Sequence, residues 1–404
     1  MKPQKIVYMD DDPNKGIKYD WKKIRREYAK LRIPKIFFNP LKPDLEICGY
    51  YWALSDRSRG KTTQSLLLCM TMHEMYGTIG HYVRTDRDTI APKMLKNLFD
   101  TITEYHYIEK ITEGLYNSVY YYSNRWYYCF RDEEGNITDK APSHFLYCVS
   151  LDDSDRLKSS YNCPRGDIII FDEFIQLSGY GYSDFIRFSD LVSTIFRKRQ
   201  STFIYMLSNT IDITSPWLDE FCIRESVEMM GSGEARYIET SEGTKIFCEI
   251  MAPDETPQRS FINKRFFGFP NPKLAAITGK GVWATDHYPH IPPYKDDEPE
   301  VIFNRLFLYQ AGKYVKLQVV ETQLGLCVYV MPSTRTYKDS IILTHGDITD
   351  TRQFYGFGSK TYKLFDIVWR LYKANRFYYA TNSEGALVKA YIKAVQDKQR
   401  IRMI

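Results

Sequence analysis

No uncharged apolar stretch of this 404-residue chain approaches the roughly 18 residues a membrane-spanning helix needs, so no membrane segment is expected. The opening stretch MKPQKIVYMDDDPNK lacks the basic start, apolar run and small-residue cleavage site of a secretory leader, which predicts a cytoplasmic protein. No CxxC pair occurs among the eight cysteines (Cys48, Cys69, Cys129, Cys148, Cys163, Cys222, Cys248 and Cys327). They are scattered, several lie in apolar runs, and they read as reduced core thiols rather than zinc or redox ligands. No internal repeat is visible, which excludes a solenoid. Charge of one sign is not in large excess either. The net +5 by itself decides nothing about nucleic acid, so distribution matters more.

Basic residues gather at the two ends. Lys18, Lys22, Lys23, Arg25, Arg26, Lys30, Arg32 and Lys35 crowd the first, and Lys393, Lys398, Arg400 and Arg402 the last. They fit either polyanion-contacting segments or ordinary solvated helix faces. The length exceeds what one hydrophobic core usually serves, so more than one domain is expected.

The pattern predicts a short basic helix from Asp20 to Arg32, then a Pro-marked loop, a buried strand from Ile47 to Leu54, a helix from Lys61 to Tyr76 and a strand from Gly80 to Thr85. SVYYYSNRWYYCF reads as a hairpin turning at Ser123 and Asn124. A continuous apolar strand follows from Asp167 to Phe171, then a helix from Ser183 to Phe196 and a buried strand from Thr202 to Leu207. Strands alternating with helices imply an α/β sheet. Beyond Pro253 the chain becomes rich in Pro, Gly, Lys and Asp, as in HYPHIPPYKDDEPE. Three β segments between Val301 and Met331 and two amphipathic helices, near 361–372 and 384–396, then suggest a small α+β domain. The expected division is 1–252 for an N-terminal basic helix with the α/β domain, 253–299 for a linker module, and 300–404 for the last domain.

The first chemical constellation is SDRSRGKTT, Ser55 to Thr63, between a strand and a helix. Backbone N–H groups of such a loop and of the helix N-terminus bind phosphate oxygens. Lys61 would then reach the β and γ phosphates and the Thr62 hydroxyl would ligate Mg²⁺, with Gly60 and Thr63 completing the cradle. The motif asks for glycine where this chain has Ser55, so the start of the loop needs another conformation or must bear strain. The second constellation is IIIFDE, an apolar strand ending in two carboxylates. Asp172 would hold the metal and Glu173 would polarise the water attacking the γ phosphate of ATP. Taken alone, GKT is a capped helix and DE a helix start; together they predict an ATPase.

FRKR closes an amphipathic helix. Cations suit a helix C-terminus, but Arg197, with Arg199 second, would also serve as an arginine supplied to a neighbouring subunit's γ phosphate. Asn209 in LSNT reads either as a γ-phosphate sensor or as a turn residue.

The order of these motifs, SDRSRGKTT, YVRT, IIIFDEFI, TIFRKR and LSNT before SPWLDEF, resembles the encapsidation (DNA-packaging) ATPases of phi29-like tailed bacteriophages. The resemblance covers roughly Cys48 to Phe221. It implies a P-loop NTPase fold of the ASCE type, a mostly parallel sheet with flanking helices, followed by the linker module and an RNase H-like domain stripped of catalytic acids. It further implies ATP and Mg²⁺ as cofactors and a homomeric, pentameric ring. That ring would be seated at the portal of an empty prohead in the host cytoplasm, absent from the finished virion, and would thread double-stranded DNA. A packaging RNA is left open. By the same resemblance Arg57 falls on a P-loop arginine, Arg84 on one ending the second strand, and Lys158 on a lysine acting across the subunit interface.

DNA would be gripped through its phosphates, for which Arg87 and Lys93 in RTDRDTIAPK are candidates, though a solvated loop fits them equally. A two-metal nuclease needs converging carboxylates. YVKLQVV and GLCVYVM contain none, and Asp347 and Asp350 lie in an expected turn, so a non-cleaving domain is expected. Two rival readings stand beside this one: a terminase with an active nuclease, and a non-enzymatic nucleic-acid scaffold with a degenerate P-loop.

Overall fold

Strand β1 (Tyr50–Ser55) lies between β7 (Phe203–Asn209) and β9 (Lys245–Ile250), parallel to both, inside a nine-stranded sheet ordered β3-β4-β5-β2-β6-β7-β1-β9-β8. The structure, a computed structural model, describes residues 6–175, 183–209, 215–267, 288–292, 299–310, 312–323, 325–344, 348–355 and 363–401. The other strands of this sheet are β2 (Gly80–Arg84), β3 (Ser118–Tyr122), β4 (Arg125–Arg131), β5 (Ile137–Ser150), β6 (Ile168–Asp172) and β8 (Ala235–Glu239). From β5 through β9 every neighbour pair is parallel, while β3-β4, β4-β5 and β8-β9 are antiparallel.

The order has one consequence for the site. Strand β7 separates β1 from β6, so the loop after β1 and the carboxylates ending β6 sit two strand spacings apart, about 10 Å. That gap is the arrangement expected of an ASCE-type sheet. Strand β6 is apolar on both faces because both are covered: Ile168 and Ile170 enter one hydrophobic layer, Ile169 and Phe171 the other. All four are fully buried, each contributing about 2 kcal/mol.

The expected strand from Ile47 begins later, at Tyr50, because the N–H groups of Ile47 and Cys48 both turn back to the Asp44 carbonyl. Helix α2 (Lys61–Tyr76) has the expected bounds, starting at Gly60 and stopping at Gly77, both left-handed (φ +70° and +68°). In the aromatic hairpin, Ser123 and Asn124 both take positive φ, the two-residue turn that matches the twist of paired strands. Helix α1 (Trp21–Ala29) buries Ile24 and Tyr28, and the Tyr28 hydroxyl bonds Gln64 on α2. Arg25 is spent on the carbonyls of Leu41 and Pro43. This end of the chain is therefore tied to the core rather than being a free basic arm. Seven cysteines are buried, Cys222 is exposed, and all eight are free thiols.

The chain divides into two compact units, residues 1–270 with 274–283, and 271–273 with 284–404. Helix Pro257–Phe267 belongs to the first, inside the stretch read as a linker. Most of the remaining linker, 268–287 and 293–298, lies outside the described residues. In the second unit, β10 (Glu300–Gln310), β11 (Lys313–Thr322) and β12 (Gly325–Ser333) form an antiparallel meander, and β13 (Ile341–Thr344) and β14 (Gln353–Tyr355) continue parallel to β10. These five strands thus lie three-two-one-four-five, the order of an RNase H-like sheet, with β15 (Phe377–Tyr379) added beside β12. Helices Lys363–Lys373 and Asn382–Ile401 cover it through Phe365, Val368, Val388 and Tyr391.

Candidate functional site

Three neighbouring strands, β1, β7 and β6, end together, and their final residues Ser55, Asn209 and Asp172 face the start of α2. The Lys61 ammonium donates to Ser55 Oγ at 2.5 Å and to the Asp56 carbonyl and Asn209 Oδ1, each at 3.3 Å. The Thr62 hydroxyl donates to Asp172 Oδ2 at 2.9 Å. Tyr82, on β2, donates its hydroxyl to the same oxygen at 2.8 Å. Four of the residues singled out by pattern therefore meet as two adjacent hydrogen-bonded pairs, Lys61 with Asn209 and Thr62 with Asp172, brought side by side because Lys61 and Thr62 are consecutive at the start of α2. Gly60 and Thr63 flank them, half-buried, at the helix N-terminus.

Ser55 needs no left-handed backbone. It is the last residue of an extended strand, and the positive φ values fall on Ser58 (+67°) and Gly60 (+70°) instead. The strain expected at Ser55 is thus moved to Ser58, and the Ser55 hydroxyl becomes an acceptor for Lys61 that glycine would lack. Burial lowers the Lys61 ammonium to about 8, against the opposing pull of Asp172 and Asp56. Burial likewise raises the Asp172 carboxyl, with Arg84, Tyr82 and Thr62 working in the other direction.

Glu173 projects from a left-handed backbone (φ +52°), a conformation costing roughly 1–3 kcal/mol for a residue of this type. Its half-exposed carboxylate is held by Arg84 Nη2, while Arg84 Nη1 lies 3.6 Å from Asp172. One arginine thus spans both carboxylates. Arg57 is exposed on the loop, whereas Arg59 is buried beneath it, 3.9 Å from Asp56.

The other candidates lie elsewhere. Arg197 precedes β7, at the edge of the sheet opposite Lys61. Its guanidinium is exposed and donates to the Tyr161 carbonyl at 2.8 Å. Lys158, on helix Ser154–Ser160, bridges Asp155 (2.9 Å) and Asp190 (2.8 Å), the latter on helix Asp184–Phe196. Arg199 corrects the expectation of a second trans-acting arginine. Its side chain is buried, with Nε 2.6 Å from Asp167 and Nη2 on the Gly166 and Ile195 carbonyls, so it is turned into its own chain rather than toward a neighbour. Truncating Arg199 to alanine would strand a buried Asp167, costing about 3–5 kcal/mol in thermal or urea unfolding. Arg197→Ala, exposed, should leave the unfolding midpoint nearly unchanged.

Arg87 and Lys93 lie on two short helical turns after β2, Arg87–Ile90 and Pro92–Leu95, at the same end of the strands as Lys61, with Lys93 exposed. Arg87 is engaged by Asp153 at 2.6 Å. In the second unit, Asp350 is clamped by Arg352, which lowers its carboxyl to about 2. Asp347 lies outside the described residues. The central strand β10 carries one carboxylate, Glu300, at its first position. The basic residues at the C-terminal end, Lys393, Lys398, Arg400 and Arg402, also fall outside the described side chains.

Tyr82 and the Ser55 acceptor were not found from sequence. The serine's departure from the glycine motif was the signal for the second; a tyrosine inside an apolar strand gave none for the first.

Among solved structures the chain is similar to the Phi-28 gp11 DNA packaging motor, with 15% identity and a TM-score of 0.51, over 89% of this chain and 97% of that one. It is also similar to the bacteriophage Phi-29 viral genome packaging motor assembly, with 15% identity and a TM-score of 0.53, over 89% of this chain and 100% of that one. No protein-family model and no curated protein matches it. At this identity the likeness shows a shared fold.

Proposed function

We propose that the chain is the ATP-hydrolysing subunit of a motor that moves double-stranded DNA into a preformed phage prohead. The observation that carries this reading is the meeting of Lys61, Thr62, Asp172 and Asn209 at the ends of three adjacent strands. The two packaging-motor structures that share the fold support the same reading.

In this reading the α2 N-terminus and Lys61 hold the phosphates of ATP, with Arg57 reaching them from the exposed loop. Thr62 and Asp172 offer only oxygen donors, the set Mg²⁺ prefers, and would hold it. Bound there, the metal would offset charge on the triphosphate. Glu173 takes the proton of the attacking water as its oxygen bonds to the γ phosphorus and the bond to the β-phosphate oxygen breaks. It does so once Arg84 releases it, and Asn209 faces the terminal phosphate. Arg197, and Lys158 on the adjoining helix, face a neighbouring copy in a homomeric, pentameric ring. Arg87 and Lys93 grip DNA phosphates, the portal is the docking partner, and the work is done in the host cytoplasm. The second unit binds DNA, RNA or portal without cutting. The Asp350–Arg352 clamp favours this over an active nuclease, because both oxygens of Asp350 are hydrogen-bonded to Arg352, whereas the nearest arginine nitrogen to Asp172 is 3.6 Å away.

DNA-stimulated ATP hydrolysis tests the proposal: it should be present in the wild type and absent in Lys61→Ala. Hydrolysis indifferent to Lys61 would refute it. The Lys61 value adds a signature. A lysine lowered to about 8 must be charged against a triphosphate, so binding takes up a proton above that pH. ATP affinity, measured by calorimetry in buffers of different ionisation heat, should be flat below pH 7 and fall by about tenfold per unit above 8.

A further inference from the structure

Phe37 is a large exposed ring lying directly against the P-loop, and nothing described above uses it. The segment around it is fixed. The Phe38 N–H donates to the Arg59 carbonyl at 2.9 Å, and the Phe37 N–H closes a turn on the Pro34 carbonyl. Phe38 is 1% exposed and packs on Tyr51 (ring centroids 5.0 Å apart), whereas the adjacent Phe37 is 37% exposed. A Cβ added to Gly60 would lie 3.2 Å from Phe37 Cδ1, a tight contact that places the ring directly against the start of α2.

The side of the helix matters. Thr62 faces Asp172, toward the carboxylates where the γ phosphate belongs. Gln64, two residues on and therefore about 200° around the helix, faces away from them and contacts the same side of Gly60 as Phe37 does. A triphosphate laid on the α2 N-terminus with its γ end at Asp172 and Glu173 would have its nucleoside end on the side away from them, where Phe37 lies.

We infer that Phe37 is the stacking platform for the base of the bound nucleotide, and so a specificity-determining residue of the site. This rests on the nucleotide-binding reading given above. A flat aromatic ring is suited to a purine face, and stacking is strong enough to dominate base affinity while leaving phosphate contacts untouched.

The test compares Mg·ATP with Mg·tripolyphosphate, which carries the phosphates without a base. In Phe37→Ala the KM for ATP should rise about tenfold with the change falling in KM rather than kcat, while the inhibition constant of tripolyphosphate stays at the wild-type value. Phe37→Trp should restore the KM. Equal weakening of both ligands would make Phe37 a brace for the loop and overturn the proposal, as would an unchanged KM. A wild-type protein that binds neither ligand would overturn it together with the function beneath it, whereas loss confined to ATP in Phe37→Ala supports both.

Discussion

Exchanging Glu173 for glutamine should lower ATP hydrolysis by about a thousandfold while leaving ATP affinity within a few-fold of wild type. Glutamine keeps the length and an acceptor oxygen for Arg84, but it cannot take a proton from water. In the proposed site the residue is not needed to hold the phosphates, because Lys61 and the α2 N-terminus, which follow another strand, are assigned that part. The measurement is single-turnover hydrolysis beside equilibrium nucleotide binding. A variant retaining a tenth or more of the wild-type rate would remove Glu173 as the base. The Arg84 contact adds to the expectation, since that guanidinium bonds one oxygen of the Glu173 carboxylate, and glutamine keeps an acceptor for it.

The Arg197→Ala variant should lose about a thousandfold in hydrolysis and regain activity when mixed with Lys61→Ala subunits. Geometry sets this expectation. Strands β1 and β7 run parallel, with Tyr50 opposite Ile204 and Ser55 opposite Asn209. Arg197 precedes the start of β7, so it is at least a strand length, about 20 Å, from the Lys61 end. No side chain spans that distance within one chain, so any catalytic part Arg197 plays would be in another copy's site, as proposed above. Mixed subunits each contribute the part the other lacks. If no mixing ratio restores hydrolysis, Arg197 does not act across an interface.

The contrast between Arg197 and Arg199 marks the limit of reading from sequence. Both sit in FRKR, at a helix end, with the same charge. One faces outward and the other closes a buried pair with Asp167, a residue distant in sequence that also accepts from Tyr19. Nothing local separates them, because the partner arrives through the crossover from β6 to β7.

The helix from Lys61 to Tyr76, the apolar strand ending in Asp172, the hairpin turn at Ser123 and Asn124 and the three-stranded meander of the second unit were legible because each is set by local rules: hydrophobic period, glycine at helix ends, and turn residues that tolerate positive φ. Local rules also named Lys61, Thr62, Asp172 and Asn209 as a candidate set. They could not supply what depends on strand order. The placing of β7 between β1 and β6, which puts Asn209 beside Lys61, is such a case, and so are the Tyr82 hydroxyl on Asp172, the Arg84 bridge and the Phe37 ring against Gly60. The chain by itself determined which groups can bind phosphate, metal and water, since that follows from their chemistry. Only the tertiary structure decided which of them share a site, because a parallel sheet brings strand ends together across long crossovers whose route the intervening residues do not encode locally.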